Sequence, residues 1–489
     1  MKKSRIACLC ILAGSAVLGL TACPKKEKKI TVWTTFNTTY QAIIDKAMSS
    51  FEKKYPEYKG KIEYTKQNGS YDDLKDMVVK GVSAGNYPDI AVAYPDSVAD
   101  FLMTGKALDI TPYMENSEYG WTKDDFDDIA PAYIDEGQHY MIPGTYSLPI
   151  CKSTEAMYYN RDALIGLDLS AYDDEINDGE ALDDEYFQTM TWEELFGHFC
   201  PAVMAYNEAQ DAEHKLITPS GDYMDSWAIC GYDSDDNLFI TLAEQYGYGY
   251  THVDQTTGAG SIDFVNDGMK DLMVKFNDAY TKHYFSTKGI IGKNVNYLST
   301  TNNMLLSIGS TGGVSYQFSA TNPIDVGVAK IPQAEGKDEK IINQGPSIAF
   351  LKHGNTKEEE DWYAKGAWLF YKEWTSTEFA IEWATTTGYT PIRTSVINSD
   401  EYQDYCNESK YSLKTLDRLT ARNARYAASV NDLLYTSDVF YGSAKARKAV
   451  GGLAADCIGG KGCGDKVEDK KITKTLLDQY FENAKNNSI

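Results

Sequence analysis

Six histidines, His139, His198, His214, His252, His283 and His353, lie far apart, and no HExxH pair sets two of them one helical turn apart around a carboxylate. No GxSxG turn exposes a serine nucleophile. The 71 acidic residues could supply a carboxylate pair for glycoside hydrolysis, but no spacing singles one out. CxxC spacing, as in zinc ribbons and redox sites, is absent. Asp174, Asp178, Gly179 and Glu185 stand at the first, fifth, sixth and twelfth places of a calcium loop, but Ile176 occupies the third. Asp233, Asp235 and Asn237, with Glu244, vary that spacing, and Leu238 stands where the turn glycine belongs. Both stretches read as solvated, and neither a metal nor a cofactor is expected. Asn303 to Gly313, NMLLSIGSTGG, is a strand running into a small-residue turn whose bare backbone amides suit anionic or hydroxyl-rich ligands. It lacks the Gly-Lys-Ser/Thr ending of a nucleotide loop. The chemistry left to the chain is reversible binding.

The elements that must position such a site alternate. Ile30 to Trp33 is a β-branched run. Ile43, Ile44, Ala47, Met48 and Phe51 then recur at helical spacing until Pro56. Ile62 and Tyr64 mark a second strand, and Ser70-Tyr71-Asp72-Asp73 resembles a capping box with Asp in its fourth place. A helix carrying Leu74, Met77, Val78 and Val82 ends near Gly85. A strand at Ile90–Ala93 and a short helix from Asp96 to Met103 follow. This order implies an α/β fold with a mostly parallel sheet, whose ligands sit beyond the strand ends. Those ends carry Trp33, Phe36, Gln67, Tyr71, Tyr94 and Asp96.

Gly137 to Leu164 is the organising stretch. Pro149 removes a backbone donor and biases Leu148 to an extended conformation, so the stretch is a strand, or two, passing from one compact unit to another. Asn343 to Leu351 reads as a return, and Ala384 to Arg393, ATTTGYTPIR, as a third passage. The expected lobes are 30–148 with 346–388, and 149–345 with 389–489. Three passages make a hinge, so candidate contacts are expected to scatter along the chain.

With 489 residues the chain is long enough for two domains, and its formal charge of −24 argues against a nucleic-acid partner. Lys2, Lys3 and Arg5 precede the short apolar run Ile6–Leu20, the pattern of a secretory leader over 1–22. Leu20-Thr21-Ala22-Cys23 looks like a bacterial lipobox, which implies lipid on Cys23, a polar tether over 23–29 and a membrane-anchored body on the extracytoplasmic face. Beyond it stand Cys151, Cys200, Cys230, Cys406, Cys457 and Cys463. The flexible loop between the last two would let them bridge.

The succession ITVWTTF, SFEKKYP, GSYDDL, AGNYPDIAVAY, GKALDITPYM, YSLP and AMYYNRDAL resembles the extracellular solute-binding proteins of ABC importers, above all the group for sugars and glycerol-3-phosphate. The resemblance implies a two-lobed, periplasmic-binding-protein-like clamp of the second type and delivery of a solute to an ABC permease. In the glycerol-3-phosphate branch, matching positions contact ligand, which here implicates Tyr71, Asp96, Ser153, Ser310, Gly345, Tyr389 and Arg447. Trp33 at a strand end and Trp227, where the family presents an aromatic from the second lobe, complete the candidate set. Asp96 replaces the branch's Glu, and Lys152 and Glu155 alter its first crossover. A neutral mono- or oligosaccharide, stacked on Trp and Tyr faces, is the first expectation, and glycerol-3-phosphate or a glycerophosphodiester the alternative. An extracellular hydrolase and a surface adhesin are readings from other classes. Binding without turnover separates the first from a receptor, and stabilisation by a small ligand separates the second.

Overall fold

The computed structural model describes residues 27–218, 227–254, 256–292, 298 and 304–488. The leader, Cys23, Met224 to Ser226 and Asn303 lie outside them. In chain order the strands are β1 (Ile30–Thr34), β2 (Ile62–Lys66), β3 (Ile90–Ala93), β4 (Ser147–Pro149), β5 (Glu155–Asn160), β6 (Cys230–Tyr232), β7 (Thr251–Asp254) and β8 (Ala259–Ile262). They continue as β9 (Phe285–Thr287), β10 (Leu306–Ser310), β11 (Val326–Ala329), β12 (Ile341–Ile342), β13 (Ser347–Phe350) and β14 (Leu434–Tyr435). One five-stranded sheet has the order β2-β1-β3-β13-β4 and the other β11-β5-β10-β6-β9.

The first sheet is parallel where strands alternate with helices: β1 pairs parallel with β2 and with β3. The returning β13 enters between β3 and β4 and runs antiparallel to both. The local signals form as their chemistry requires. Asn37 caps helix Thr38–Lys54 by accepting from the Thr39 amide at 2.9 Å. The box at Ser70 closes with Asp in its fourth place: the Ser70 hydroxyl accepts from the Asp73 amide at 3.2 Å, and the Asp73 carboxylate from the Ser70 amide at 2.8 Å.

Two cores form. Ile44, Phe51, Trp368, Phe370 and Tyr371 bury completely in the first, and Met157, Tyr158, Trp192, Phe199 and Phe276 in the second. Burying a side chain such as Phe51 contributes about 1.5–3 kcal/mol. Tyr371 also donates its hydroxyl to the Pro149 carbonyl at 2.7 Å, which ties helix Lys357–Trp374 to the first passage. The third passage comes later than the boundary expected at Gly388. Ile392 still packs in the first core, and Leu419 is in the second. The Arg393 guanidinium explains the delay: its Nε donates to the Thr375 carbonyl at 2.7 Å and its Nη1 to Asp128 at 3.2 Å, holding the segment on the first lobe.

Cys457 and Cys463 are both free thiols, which corrects the expected bridge. Cys457 is buried inside helix Ser443–Ile458, while the tight turn after it, closed by Lys461 N–H to Asp456 O at 3.0 Å and Cys463 N–H to Gly460 O at 3.0 Å, keeps its own course. No helix of the described residues is long and apolar enough to cross a membrane.

Candidate binding cleft between the two lobes

All three passages meet side by side. The Ser153 amide donates to Gln344 O at 3.0 Å and the Gln344 amide to Ser153 O at 2.9 Å. On the other side, Lys152 and Thr390 exchange amide bonds of 3.3 and 2.8 Å. Gly345 has φ +99°, and a Cβ there would lie 2.8 Å from the Cys151 carbonyl oxygen, so only glycine lets the first two passages touch. Beneath this lacing Lys152 and Glu136 form a buried ion pair. Ser347 donates its hydroxyl to Glu136 at 2.8 Å and Asn343 its amide at 3.2 Å, while Lys152 also reaches Ser347 at 3.0 Å. The pair is satisfied on every side, as a buried pair must be to persist.

The floor above the hinge is aromatic. Tyr71 opens helix Tyr71–Ala84 and Tyr94 precedes helix Pro95–Met103; their rings meet edge-on at 4.9 Å. Tyr389 of the third passage meets Tyr40 at 6.5 Å, and Tyr40 stacks on Phe36 at 5.0 Å. Burial pushes the Tyr71 and Tyr389 phenols well up, and each lies within electrostatic reach of Tyr40, Tyr94 and Cys151. Burial likewise lifts Tyr94 to about 12, with Arg447 pulling the other way. From the second lobe, the turn Thr311–Gln317 closes over Tyr389: a Cβ on Gly312 would lie 2.9 Å from the tyrosine ring. Tyr316 on that turn is 74% exposed, the most of any large apolar side chain described, and it acts electrostatically on Tyr40 across the cleft. Sequence reasoning missed Tyr316; an aromatic three residues beyond Gly313, on the turn already singled out, was the available signal.

The second lobe presents the ends of β6 and β10 and the start of β5. Here Glu155 is opposite Ser310, and the Asp233 amide bonds to Ile308 O at 2.9 Å. Arg447, on helix Ser443–Ile458, reaches Asp96 of the first lobe at 3.0 Å and Asp236 and Asn237 of the second at 2.7 Å each. Asn237 continues the chain by donating to Glu155 at 3.0 Å, and the Tyr232 hydroxyl binds the same carboxylate. Burial raises the Glu155 carboxyl to about 7 against those two donors. One polar network thus crosses from the first lobe into the second sheet.

The sequence profile described as bacterial extracellular solute-binding protein matches residues 46–407, well over half of the chain. The chain belongs to that family. Among curated proteins no sequence matches. Solved structures with the same fold include the cyclic α-maltosyl-1,6-maltose binding protein of Arthrobacter globiformis, 16% identical, with a TM-score of 0.63 over 94% of this chain and 99% of that one. UgpB of Mycobacterium tuberculosis in complex with glycerophosphocholine is 14% identical, with a TM-score of 0.64 over 94% and 99%. An ABC substrate-binding protein of Listeria monocytogenes in complex with cycloalternan is 13% identical, with a TM-score of 0.63 over 94% and 98%. The fold is therefore the two-lobed periplasmic-binding-protein clamp, and the family is non-catalytic: its members are extracytoplasmic receptors for ABC transporters.

In this solute-binding protein the candidate residues fall into three groups. Tyr71 and Tyr389 come together on the cleft floor, and Asp96 and Arg447 come together with each other. Ser153, Ser310 and Gly345 line the hinge, but the Ser310 hydroxyl accepts from its own turn, from the Gly312 amide at 3.2 Å. Trp33 and Trp227 are not brought to the others. Trp33 is half-buried within β1, opposite Thr65 and Ala91. Trp227 stacks on His283 at 4.4 Å three residues before β6 begins, whereas the cleft lies beyond the end where β6 finishes. The acidic stretch 168–185 spends Asp184 on Arg161 at 2.7 Å, and Asp235 binds Thr287 and the Gly289 amide. Among the described residues, no three His, Cys, Asp or Glu side chains gather as a metal site. A separate cavity of about 450 Å³ on the second lobe is lined by Arg161, Arg418, Arg422 and Arg425. Asp184, Asp325 and Glu408 pair with all four, so it offers little uncompensated charge to a ligand.

Proposed function

We propose that this receptor captures a neutral mono- or oligosaccharide between its lobes and delivers it to the membrane subunits of an ABC importer. One observation carries the choice of solute. The late arginine that a phosphate ester would need is held between two carboxylates, Asp96 and Asp236, so the group Asp96–Arg447–Asp236 is net negative. A phosphate would have to displace a carboxylate to reach it. The tyrosine floor supports the same reading, since ring faces stack on the C–H side of a sugar while phenol groups fix orientation. Among proteins of like fold, one is complexed with maltotetraose and another with maltose. The contacts proposed are Tyr71, Tyr94, Tyr389 and Tyr316, with Ser153 and Ser310 at the hinge. The glycerophosphocholine complex of similar fold keeps phosphodiesters as the second reading.

A thermal-shift panel on the full-length chain tests this. A bound solute at about 100 times Kd adds about 2.7 kcal/mol of stability. A raised melting temperature with a sugar series and none with glycerol-3-phosphate or glycerophosphocholine is the expected result. A response to the phosphate esters alone overturns the sugar reading. Lipid attachment at Cys23 belongs to the same proposal. It predicts that Cys23→Ser releases the protein from membranes into the soluble fraction.

A further inference from the structure

Among the described residues, two buried oxygens of the second-lobe wall have no hydrogen-bond donor, Asp233 Oδ1 and Gln317 Oε1. Gln317 is 5% exposed and ends the turn that carries Tyr316; Asp233 follows β6 directly. The two side chains are neighbours across Gly309. A Cβ on that glycine would sit 3.3 Å from Gln317 Nε2 and 3.6 Å from the Asp233 Cβ. Both lie at the cleft end of the sheet, beside the strand that ends in Ser310. Buried acceptors are nearly always satisfied in folded proteins, and an unsatisfied pair weakens the fold that carries it. Burial also lifts the Asp233 carboxyl to about 6, although Lys288 pulls it down. None of these groups is used by the hinge or by the Arg447 network.

We propose that Asp233 and Gln317 form a subsite that accepts hydrogen bonds from two neighbouring hydroxyl groups of the bound sugar. The inference rests on the sugar-receptor reading above and deepens it. A sugar hydroxyl brings the proton that both oxygens lack. The phosphate group of an ester does not suit this position, because its oxygens accept and carry charge of the same sign as Asp233. Gly309 lets the two side chains pack against the same point of the strand, since a Cβ there would crowd Gln317 Nε2 at 3.3 Å.

The test uses full-length wild type, Asp233→Ala, Asp233→Asn and Gln317→Leu, each melted alone and with maltose, maltotetraose or α-D-tagatose. Without sugar, the Asn and Leu variants are expected to melt at or about 1–3 °C above wild type, because each removes an unpaired buried acceptor or its charge. With the sugar that stabilises wild type, Asp233→Ala and Gln317→Leu are expected to bind at least about tenfold more weakly, the loss of a hydrogen bond to a charged or buried partner. Sugar-free melting well below wild type in both the Asn and the Leu variant overturns the proposal, since the two groups would then be structural. Unchanged sugar affinity in both Asp233→Ala and Gln317→Leu also overturns it while leaving the receptor reading intact. If Asp233→Ala does not fold, Asp233→Leu, which also removes the acceptor, takes its place in that comparison. A wild type that responds to no sugar ends both readings, and it is told apart from the previous outcome by wild type alone.

Discussion

Arg447 has its charge already committed to protein partners. It holds Asp96 and Asp236 together across the cleft, so Arg447→Met leaves two carboxylates facing each other. The groups are partly exposed, which tempers the cost. The variant should lose about 1–3 kcal/mol of solute affinity, about 5–150-fold in Kd by titration calorimetry. Unchanged Kd would mean that the bridge plays no part in closing the clamp. Glu155, two bonds further along the network, gives a pH signature. Its pKa rises from 4.5 to about 7 on burial, so the folded state holds the proton more tightly than the unfolded chain. Stability should therefore fall as pH rises between these values, and the full cost should stand above pH 7. Glu155→Gln removes the titration while keeping an acceptor for Asn237, and the Tyr232 hydroxyl can turn to accept. Its melting temperature should exceed wild type at about pH 8 and match it near pH 4.5. Equal melting at both pH values would show that the carboxyl does not carry this cost.

At the scale of elements, the hinge is three extended segments laced by four backbone hydrogen bonds, with a buried Lys152–Glu136 pair beneath. Gly345 is the tightest point. Gly345→Ala must place a Cβ at φ +99° and within 2.8 Å of the Cys151 carbonyl and 3.0 Å of the Lys152 Cα. A cost of about 2–4 kcal/mol in urea unfolding is expected, from positive-φ strain and overpacking together. A loss below about 0.5 kcal/mol would mean that the first two passages can part without penalty. The same lacing accounts for a glycine that the family resemblance associates with ligand: here its backbone geometry already explains the residue. The turn Thr311–Gln317 shows the complementary case, where Gly312 makes room for the Tyr389 ring and so brings a second-lobe turn onto a hinge tyrosine.

The whole molecule is a clamp whose halves touch through Asp96–Arg447 at one side and the hinge at the other. A solute bound by both lobes favours the closed arrangement by its difference in affinity for the two states. Small-angle scattering should therefore show a smaller radius of gyration when a stabilising sugar is added to the wild type. Arg447→Met should have a larger radius than wild type before sugar is added. No contraction with a saturating sugar would contradict hinge closure.

The sequence by itself determined the elements and their order. Capping boxes, helical spacings and prolines act over a few residues, so Ser70–Asp73, the helix after Asn37 and the extended run at Pro149 were legible directly. The three passages were legible because strand and helix patterns restart on either side of them. What only the tertiary structure decided was how distant polar groups pair. Asp96 and Arg447 are 351 residues apart, and each alone reads as a free charge for a ligand; brought together, they satisfy each other. Trp227 read as a cleft aromatic until the direction of β6 put it at the far end of the strand, and Cys457 read as a disulfide partner until its helix buried it. Local propensity is written in neighbouring residues, whereas electrostatic pairing and strand direction depend on which surfaces the cores bring face to face.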